Sequence, residues 1–278
     1  MQQLGKIINP HDLRGARLKR NSLTAGIVAA WNPNVFPGGN RLYDRAGANN
    51  GTIVGATWAT DPRTGLVLAY GASKYTQVSP IYNGVNAFVI SAWLTGPGTA
   101  EMYFYGEGDP GATNAYICLG SDYDPTGRFR GVVQNTGERT LDFKSNSTTV
   151  YNGTLRHIVF ALAGGRAKLF IDGVLDKDSA YTMVSGTLSA GVMGARYVNG
   201  SYWYNWTGTI GQTLIFARAL SAAEIGLLYA DPIGAIWDVG EEEWGWAPAE
   251  EAAGSVSVAI GGGLRLGGAR VLVGGRLG

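Results

Sequence analysis

Short apolar runs, separated by clusters of Gly, Asn, Asp and Pro, recur along most of the chain. The runs are rich in β-branched and aromatic residues, which is typical of β-strands bounded by turns. Polar and apolar positions partly alternate in residues 128–133 and 168–172, as expected where one face of a sheet meets water. We therefore predict strands at residues 27–31, 66–70, 88–94, 101–105, 115–119, 128–134, 139–143, 157–162, 167–171 and 209–216.

Helical periodicity is almost absent, with one exception near Ser221. Ser221 and Glu224 have the spacing of a capping box, Ile225 and Leu228 supply an apolar stripe, and residues 231–232 (Asp-Pro) end the segment. Ten strands and one short helix predict an all-β fold, in which two antiparallel sheets pack face to face as a jelly-roll sandwich.

Composition supports this fold and excludes several kinds of site. Of the 278 residues 43 are Gly, 45% are hydrophobic and 15% are charged, which favours a β-rich protein with a sizeable core. One cysteine and two histidines cannot form an internal disulfide or a zinc cage of thiolates and imidazoles. The N-terminus lacks the pattern of a secretion signal, no apolar run reaches the roughly 18 residues of a membrane helix, and a net charge of +1 gives no support for a nucleic-acid or membrane partner.

The composition divides the chain into four parts: a basic arm (1–22), the sandwich (23–237), an acidic linker (238–251) and a Gly-rich β tail (252–278). Alternating apolar residues in the tail predict strand edges that need a partner, in the sandwich or in another subunit. We expect the arm and the tail to anchor the sandwich in a larger assembly, and a homo-oligomer, specifically a trimer. The residues proposed for this role are Arg14, Arg17, Lys19, Arg20, Leu264, Leu266, Val271 and Val273.

Several stretches resemble the laminin-G-like, concanavalin A-like lectin/glucanase superfamily. They include Ile27-Val-Ala-Ala-Trp31, Phe88-Val-Ile-Ser-Ala-Trp93, Lys168-Leu-Phe-Ile-Asp-Gly-Val-Leu175 and the closing Ile215-Phe-Ala-Arg-Ala-Leu-Ser-Ala-Ala-Glu-Ile225, in the family's order. The basic lead and residues 227–237 resemble the form of this domain carried by tailed-phage virion proteins. That resemblance implies a virion protein made in the cytoplasm of a bacterial host.

The carboxylates do not form the pattern of a catalytic strand. Glucanases of this superfamily resemble one another in a strand whose alternate carboxylates project to one side about 5 Å apart, and no such strand is present. Glu107 and Asp109, and likewise Asp122 and Asp124, lie among Gly, Pro and Ser. We interpret both pairs as hairpin turns, rather than as a catalytic pair or a calcium loop.

Other candidate centres are also interpreted as structural. His157 and Cys118 lie within apolar strands, which favours a core histidine and a small buried hydrophobe. Phosphate-binding loops are absent from the sequence. Ile210-Gly-Gln212 stands where the family often has Ile-Asp-Glu, so a carboxylate that could help hold a structural calcium is missing. We expect no metal or other cofactor, with structural calcium disfavoured.

The strongest functional signal is aromatic. Tyr202, Trp203 and Tyr204 lie together in a segment rich in Gly and Asn, where their rings could stack on a sugar or anchor an interface. We predict a non-enzymatic phage virion structural protein, either a capsid decoration or a component of a head or tail fibre, whose partners are other virion proteins. The alternative is a carbohydrate-binding adhesin that recognises host surface glycans through these three aromatics.

Overall fold

The computed structural model describes residues 16–238, except residues 36, 110–114, 124–126, 136–137 and 184–187. One α-helix, α1 (Ala222–Ala230), one 3-10 turn (Tyr82–Gly84) and twenty strands form in this part of the chain. The strands are β1 (Arg17–Leu18), β2 (Ile27–Trp31), β3 (Arg41–Leu42), β4 (Gly51–Val54), β5 (Thr57–Asp61), β6 (Gly65–Tyr70), β7 (Tyr75–Val78), β8 (Phe88–Leu94), β9 (Met102–Gly108), β10 (Tyr116–Ser121), β11 (Phe129–Asn135), β12 (Glu138–Lys144), β13 (Arg156–Ala163), β14 (Arg166–Ile171), β15 (Val174–Ala180), β16 (Ala190–Met193), β17 (Arg196–Val198), β18 (Ser201–Trp203), β19 (Gly208–Phe216) and β20 (Trp237–Asp238).

Two eight-stranded antiparallel sheets form a sandwich, which confirms the predicted fold class. Sheet I has the order β15-β14-β13-β8-β19-β6-β5, and β2 pairs with the second half of β19. Sheet II has the order β12-β11-β10-β9-β16-β7-β4-β3. Two further ribbons, β1–β20 and β17–β18, each contain two strands. Both sheets combine hairpin neighbours with pairs that are far apart in the chain, such as β8 with β19 and β9 with β16, as in a jelly roll.

The main core lies between the two sheets. It is rich in aromatic side chains, and the rings of Phe129, Phe143 and Phe160 pack against one another at centroid distances of 5.2 to 6.4 Å. Trp206 is fully buried in the same core and meets Phe104 edge-on at 5.9 Å. Edge-to-face pairs of this kind add to the free energy gained from the buried apolar area.

The outer face of sheet I carries a second core. Val89 and Val159 on this face contact Ile225 and Leu228 of helix α1 as well as Trp237 of β20, and all five are buried. β8 is therefore covered on both faces, which explains why its sequence is apolar at every position except Ser91 rather than alternating. The capping box predicted at the start of α1 is present.

The chain before the sandwich is partly packed against it. Arg17 pairs with Asp238 and Leu18 with Trp237, and Ala16 and Leu23 are buried in the second core. The described chain thus begins and ends on two paired strands, on the outer side of sheet I. The four-part division remains a prediction, because residues 1–15 and 239–278 lie outside the described part.

A buried polar network ties the closing segment to sheet I. Gln212 Oε1 accepts hydrogen bonds from Asn32 Nδ2 (3.0 Å) and from the indole of Trp237, and Gln212 Nε2 donates to the carbonyl oxygen of Pro232 at 2.9 Å. Gln212 is buried, and both its amide oxygen and its amide nitrogen have partners within the protein. The residue that departs from the family's Ile-Asp-Glu pattern therefore holds the segment that ends in β20.

Candidate functional site: an aromatic shelf on the outer face of sheet II

The β17–β18 hairpin lies directly on strand β9. Its turn, residues 199–200 (Asn-Gly), has positive φ at both positions, as a type I′ hairpin turn requires. A Cβ atom at Gly106 would lie 3.0 Å from the carbonyl oxygen of Ala195, and one at Gly108 would lie 2.0 Å from that of Tyr197. The two glycines thus allow the main chains to touch, which fixes the position of the hairpin on the sheet.

One side of the hairpin is bound to β7. Side chains alternate along a strand, and Tyr202 points towards Tyr75, on which its ring stacks at a centroid distance of 3.9 Å. Its hydroxyl accepts a hydrogen bond from Gln77 Nε2 at 2.7 Å, and its cross-strand neighbour Tyr197 packs against it at 5.0 Å. Tyr202 therefore helps to hold the hairpin in place.

The other side of the hairpin faces β10. Arg196 pairs in register with Trp203, and its guanidinium carbon lies 3.9 Å from the ring centroid of Tyr116 and 5.8 Å from that of Tyr204. Trp203 is 57% exposed and Tyr204 47% exposed. We call Tyr116, Arg196, Trp203 and Tyr204 the aromatic shelf. Its two exposed rings and its cation are presented from one side of a fixed hairpin.

Tyr204 is held in a strained backbone conformation. Its φ is 53°, in the left-handed region that non-glycine residues enter rarely. The N–H of Tyr103 donates to the carbonyl oxygen of Tyr204 at 3.0 Å, and the two rings meet edge-on at 6.0 Å. Residues of this kind persist where the surrounding contacts determine them, and they cluster at functional sites.

A network of paired charges lies beside the shelf, on β11 and β12. Arg130 contacts Asp142 (2.8 Å) and Glu101 (3.3 Å), and Arg139 contacts Asp142 at 2.8 Å. The hydrogen bond from Arg130 holds the pKa of Asp142 below its usual value. The hydroxyl of Tyr103 donates to Glu101. These charges satisfy one another and form a polar border next to the shelf.

The structure divides the three aromatics that the sequence grouped. Trp203 and Tyr204 lie on the shelf, whereas Tyr202 lies on the opposite side of the hairpin. Sequence reasoning missed Arg196 and Tyr116. Residues 199–200 contain the signal that could have found Arg196, because a two-residue Asn-Gly turn places residues 196 and 203 opposite each other.

Glu107 is not in a turn, so that interpretation is wrong. It lies in β9 and points into the core, where Tyr105 Oη donates to its carboxylate at 2.6 Å and the backbone N–H groups of Ile81 and Tyr82 donate at 3.0 Å. Burial raises its pKa from 4.5 to about 7. Asp122 follows the last residue of β10, as expected, but is buried and lies 2.6 Å from Lys144 Nζ.

His157 and Cys118 are both fully buried. His157 Nε2 hydrogen-bonds with Ser91 Oγ at 2.8 Å, and its ring stacks on Trp93 at 4.9 Å. Burial, together with the charge of Arg63, lowers the pKa of His157 to about 3. Burial raises the pKa of the Cys118 thiol to about 12. Both groups are neutral at neutral pH and have the packing expected of structural residues.

The residues predicted for attachment lie partly in the described chain. Arg17 is in β1, Lys19 Nζ donates to the carbonyl oxygen of Gly234, and Arg20 is exposed. Arg14, Leu264, Leu266, Val271 and Val273 lie outside the described residues. Among the described residues no group of three or more His, Cys, Asp or Glu side chains could hold a metal ion. No helix in that part of the chain is long and apolar enough to cross a membrane.

Residues 70–226 match the model of a family described as the concanavalin A-like lectin/glucanases superfamily. The chain belongs to this superfamily. The match runs from the end of β6 into α1 and includes the whole aromatic shelf. Comparison with curated protein sequences gives no match.

Solved structures show the same fold at low sequence identity. The binding domain of Paraclostridial Mosquitocidal Protein 1 has a TM-score of 0.56 at 14% identity, over 75% of this chain and 52% of that one. Domain 4 of AbnA, an extracellular arabinanase of Geobacillus stearothermophilus solved with arabinotriose, has a TM-score of 0.56 at 18% identity, over 73% and 98%. A Trypanosoma rangeli sialidase solved with sialic acid has a TM-score of 0.55 at 17% identity, over 74% and 33%. This chain thus spans about half of the first of these structures.

Proposed function

We propose that the sandwich is a non-enzymatic carbohydrate-binding domain and that the aromatic shelf holds the sugar. The observation that carries the proposal is the exposure of Trp203 and Tyr204 on a hairpin whose other side is bound to β7. Fixed, exposed rings bring a large contact area at low entropy cost, which suits stacking on a sugar ring. A domain of similar fold in the Geobacillus stearothermophilus arabinanase was solved with arabinotriose, which supports the same class of ligand.

The arrangement of the carboxylates supports a domain without hydrolase activity. A retaining or inverting glycosidase needs two carboxyl groups on either side of the scissile bond. Glu107, on β9, is buried in the core, and Asp122 is paired with Lys144. We expect reducing-sugar release from β-glucans and bacterial surface polysaccharides to stay at background, and release that was lost on changing Asp122 would overturn this part of the proposal.

Glycan-array binding tests the shelf directly. We expect Trp203→Ala to weaken binding about two- to tenfold, the range that corresponds to one aromatic contact. Tyr43→Ala is the matched control, because Tyr43 is 39% exposed on β3's side of sheet II, beyond the hairpin. Binding that survived Trp203→Ala together with Tyr204→Ala would exclude the shelf, and an array without any bound glycan would refute carbohydrate binding.

The virion role is a second proposal, in which the sandwich is displayed on a phage particle as a capsid decoration or a fibre component. The β1–β20 ribbon lies outside sheet I, whereas the shelf lies outside sheet II. Attachment through the segments that continue from this ribbon would leave the shelf facing away from the particle. This arrangement and the phage-like sequence features support the proposal, which implies a protein made in the host cytoplasm and assembled with other virion proteins.

The attachment segments can be tested by deletion. We expect removal of residues 252–278 to reduce the mass measured by light scattering from that of an oligomer, specifically a trimer, to that of a monomer. An unchanged oligomer would show that the tail is not the assembly element. We expect removal of residues 1–15, the part of the arm before β1, to prevent incorporation into particles. Normal incorporation of the truncated chain would refute an anchoring role for this part of the arm.

A further inference from the structure

We propose that the aromatic shelf selects sugars that carry an anionic group, a carboxylate or a sulfate ester, and that Arg196 binds this group. The inference rests on the proposed carbohydrate-binding function and specifies its ligand class. Trp203 and Tyr204 would stack on the ring, and the guanidinium of Arg196 would pair with the anion.

The first argument is the state of Arg196. No carboxylate of the described residues lies within ion-pair distance of its guanidinium, and its Nε atom is buried without a hydrogen-bond partner there. Its contacts are with the faces of Tyr116 and Tyr204. The rings attract the cation but accept no conventional hydrogen bond from it. The charge of Arg196 is therefore partly removed from water without an anionic partner.

The second argument is the contrast with the arginines beside it. Arg130 and Arg139 both point their guanidinium groups at Asp142, and Arg130 also contacts Glu101. Their charges are compensated within sheet II. Arg196 lies on the same outer face, yet within the described part of the chain its guanidinium contacts the rings of Tyr116 and Tyr204 and no carboxylate. An anion that binds this face would gain the most binding free energy beside Arg196, because there it would not have to compete with a carboxylate that is already paired with the arginine.

The third argument is the position of Arg196 relative to the exposed rings. Trp203 is its cross-strand partner in the β17–β18 hairpin, and Cβ atoms of such partners are about 4.5 to 5.5 Å apart. A sugar stacked on Trp203 therefore brings its ring substituents within reach of the guanidinium. A guanidinium binds carboxylate and sulfate oxygens through paired N–H groups, so both anions share the recognition chemistry.

The experiment measures binding of galacturonic acid oligosaccharides, their neutral methyl esters and sulfated galactan oligosaccharides by titration calorimetry. We expect the protein to bind at least one of the two anionic probes about tenfold or more tightly than the ester, a ratio typical of a charged hydrogen bond. Comparison of the affinities for the carboxylated and the sulfated probes shows which anion the protein prefers. Arg196→Gln should remove the preference, and Arg196→Lys should retain only part of it because lysine lacks the paired donors.

Arg41→Gln is the matched control. Arg41 also lies over a tyrosine ring, that of Tyr43 at 5.7 Å, on sheet II but beyond the hairpin. This variant loses the same formal charge and should keep the preference. An equal loss in Arg41→Gln would indicate attraction by overall charge and would overturn the inference. Thermal unfolding of each variant checks the fold, and Arg196→Lys carries the test if Arg196→Gln does not fold.

The outcomes separate this inference from the proposal on which it rests. Binding of both anionic probes no tighter than that of the ester, with sensitivity only to Trp203→Ala, would leave carbohydrate binding in place and overturn the role of Arg196. A preference for anionic probes that survived Arg196→Gln would do the same. Absence of binding to all three probes would overturn both.

Discussion

Glu107 makes the stability of the sandwich depend on pH in a direction unusual for a carboxylate. Its side chain is fully buried, and its pKa is raised from 4.5 to about 7 chiefly by burial, against the opposing hydrogen bonds from Tyr105, Ile81 and Tyr82. Between these two pH values the folded protein keeps a proton that the unfolded chain has released. The free energy of unfolding therefore falls as pH rises from 4.5 through about 7.

The rise in pKa corresponds to ~3 kcal/mol, which is fully present below pH 4.5 and absent above about pH 7. His157 acts in the opposite direction. Its pKa falls from 6.5 to about 3, so the unfolded chain binds the additional proton and stability rises with pH over that interval. The two effects largely cancel between pH 4.5 and 6.5, and the wild-type profile alone cannot separate them.

Urea unfolding of the wild type and of Glu107→Gln, at intervals between pH 4.5 and about 8, isolates the carboxylate. Glutamine does not titrate, so any fixed cost of the substitution is the same at each pH. We expect the wild type to lose ~3 kcal/mol relative to the variant across this range. A difference that stayed constant, or that grew in favour of the wild type as pH rose, would refute the reasoning. His157→Gln, compared in the same way, should show a slope of the opposite sign.

Two further substitutions test the parts that position the termini and the shelf. Gln212→Met would leave the buried donors of Asn32 and Trp237 without their acceptor, and we expect it to lower the free energy of unfolding by about 2 to 6 kcal/mol in urea titrations. Unchanged stability would show that the network is not needed. Gly108→Ala would place a Cβ atom 2.0 Å from the carbonyl oxygen of Tyr197, so the hairpin must move, and we expect glycan-array binding to be lost. Retained binding at wild-type strength would show that the close contact between the hairpin and β9 does not position the shelf.

The strands of the sandwich core could be predicted because the pattern of side chains within each strand indicates how it is buried. The ten predicted strands and the helix at Ser221 are all present. Residues 88–94 are apolar except for Ser91 because both faces of the strand are covered, and a capping box satisfies helix N–H groups within four residues. In both cases the residues that decide the structure lie close together in the sequence and differ in polarity from the residues that flank them.

Other strands form because neighbours pair with them, and their own sequences say little. β7 (Tyr-Thr-Gln-Val) and β16 (Ala-Gly-Val-Met) lie side by side in the middle of sheet II, each hydrogen-bonded on both edges. β15 is an exposed edge strand with three charged residues. Backbone hydrogen bonds to distant segments of the chain stabilise β7 and β16, and those to the preceding strand β14 stabilise β15. Single-sequence patterns of polarity do not report such bonds.

The misinterpretation of Glu107 shows why the candidate site was only partly predictable. Gly-Glu-Gly predicts a turn, because glycine most often marks one. In β9 the two glycines face outwards, where the main chain of the β17–β18 hairpin lies against them, and the glutamate faces the core. The two glycines therefore allow the hairpin that carries Trp203 and Arg196 to pack against β9. The glutamate between them places a titratable carboxylate in the core on the other face of the strand. Both roles depend on segments from elsewhere in the chain that pack against β9. The requirement for glycine is therefore decided by tertiary contact with the β17–β18 hairpin, and this contact also fixes the position of the shelf.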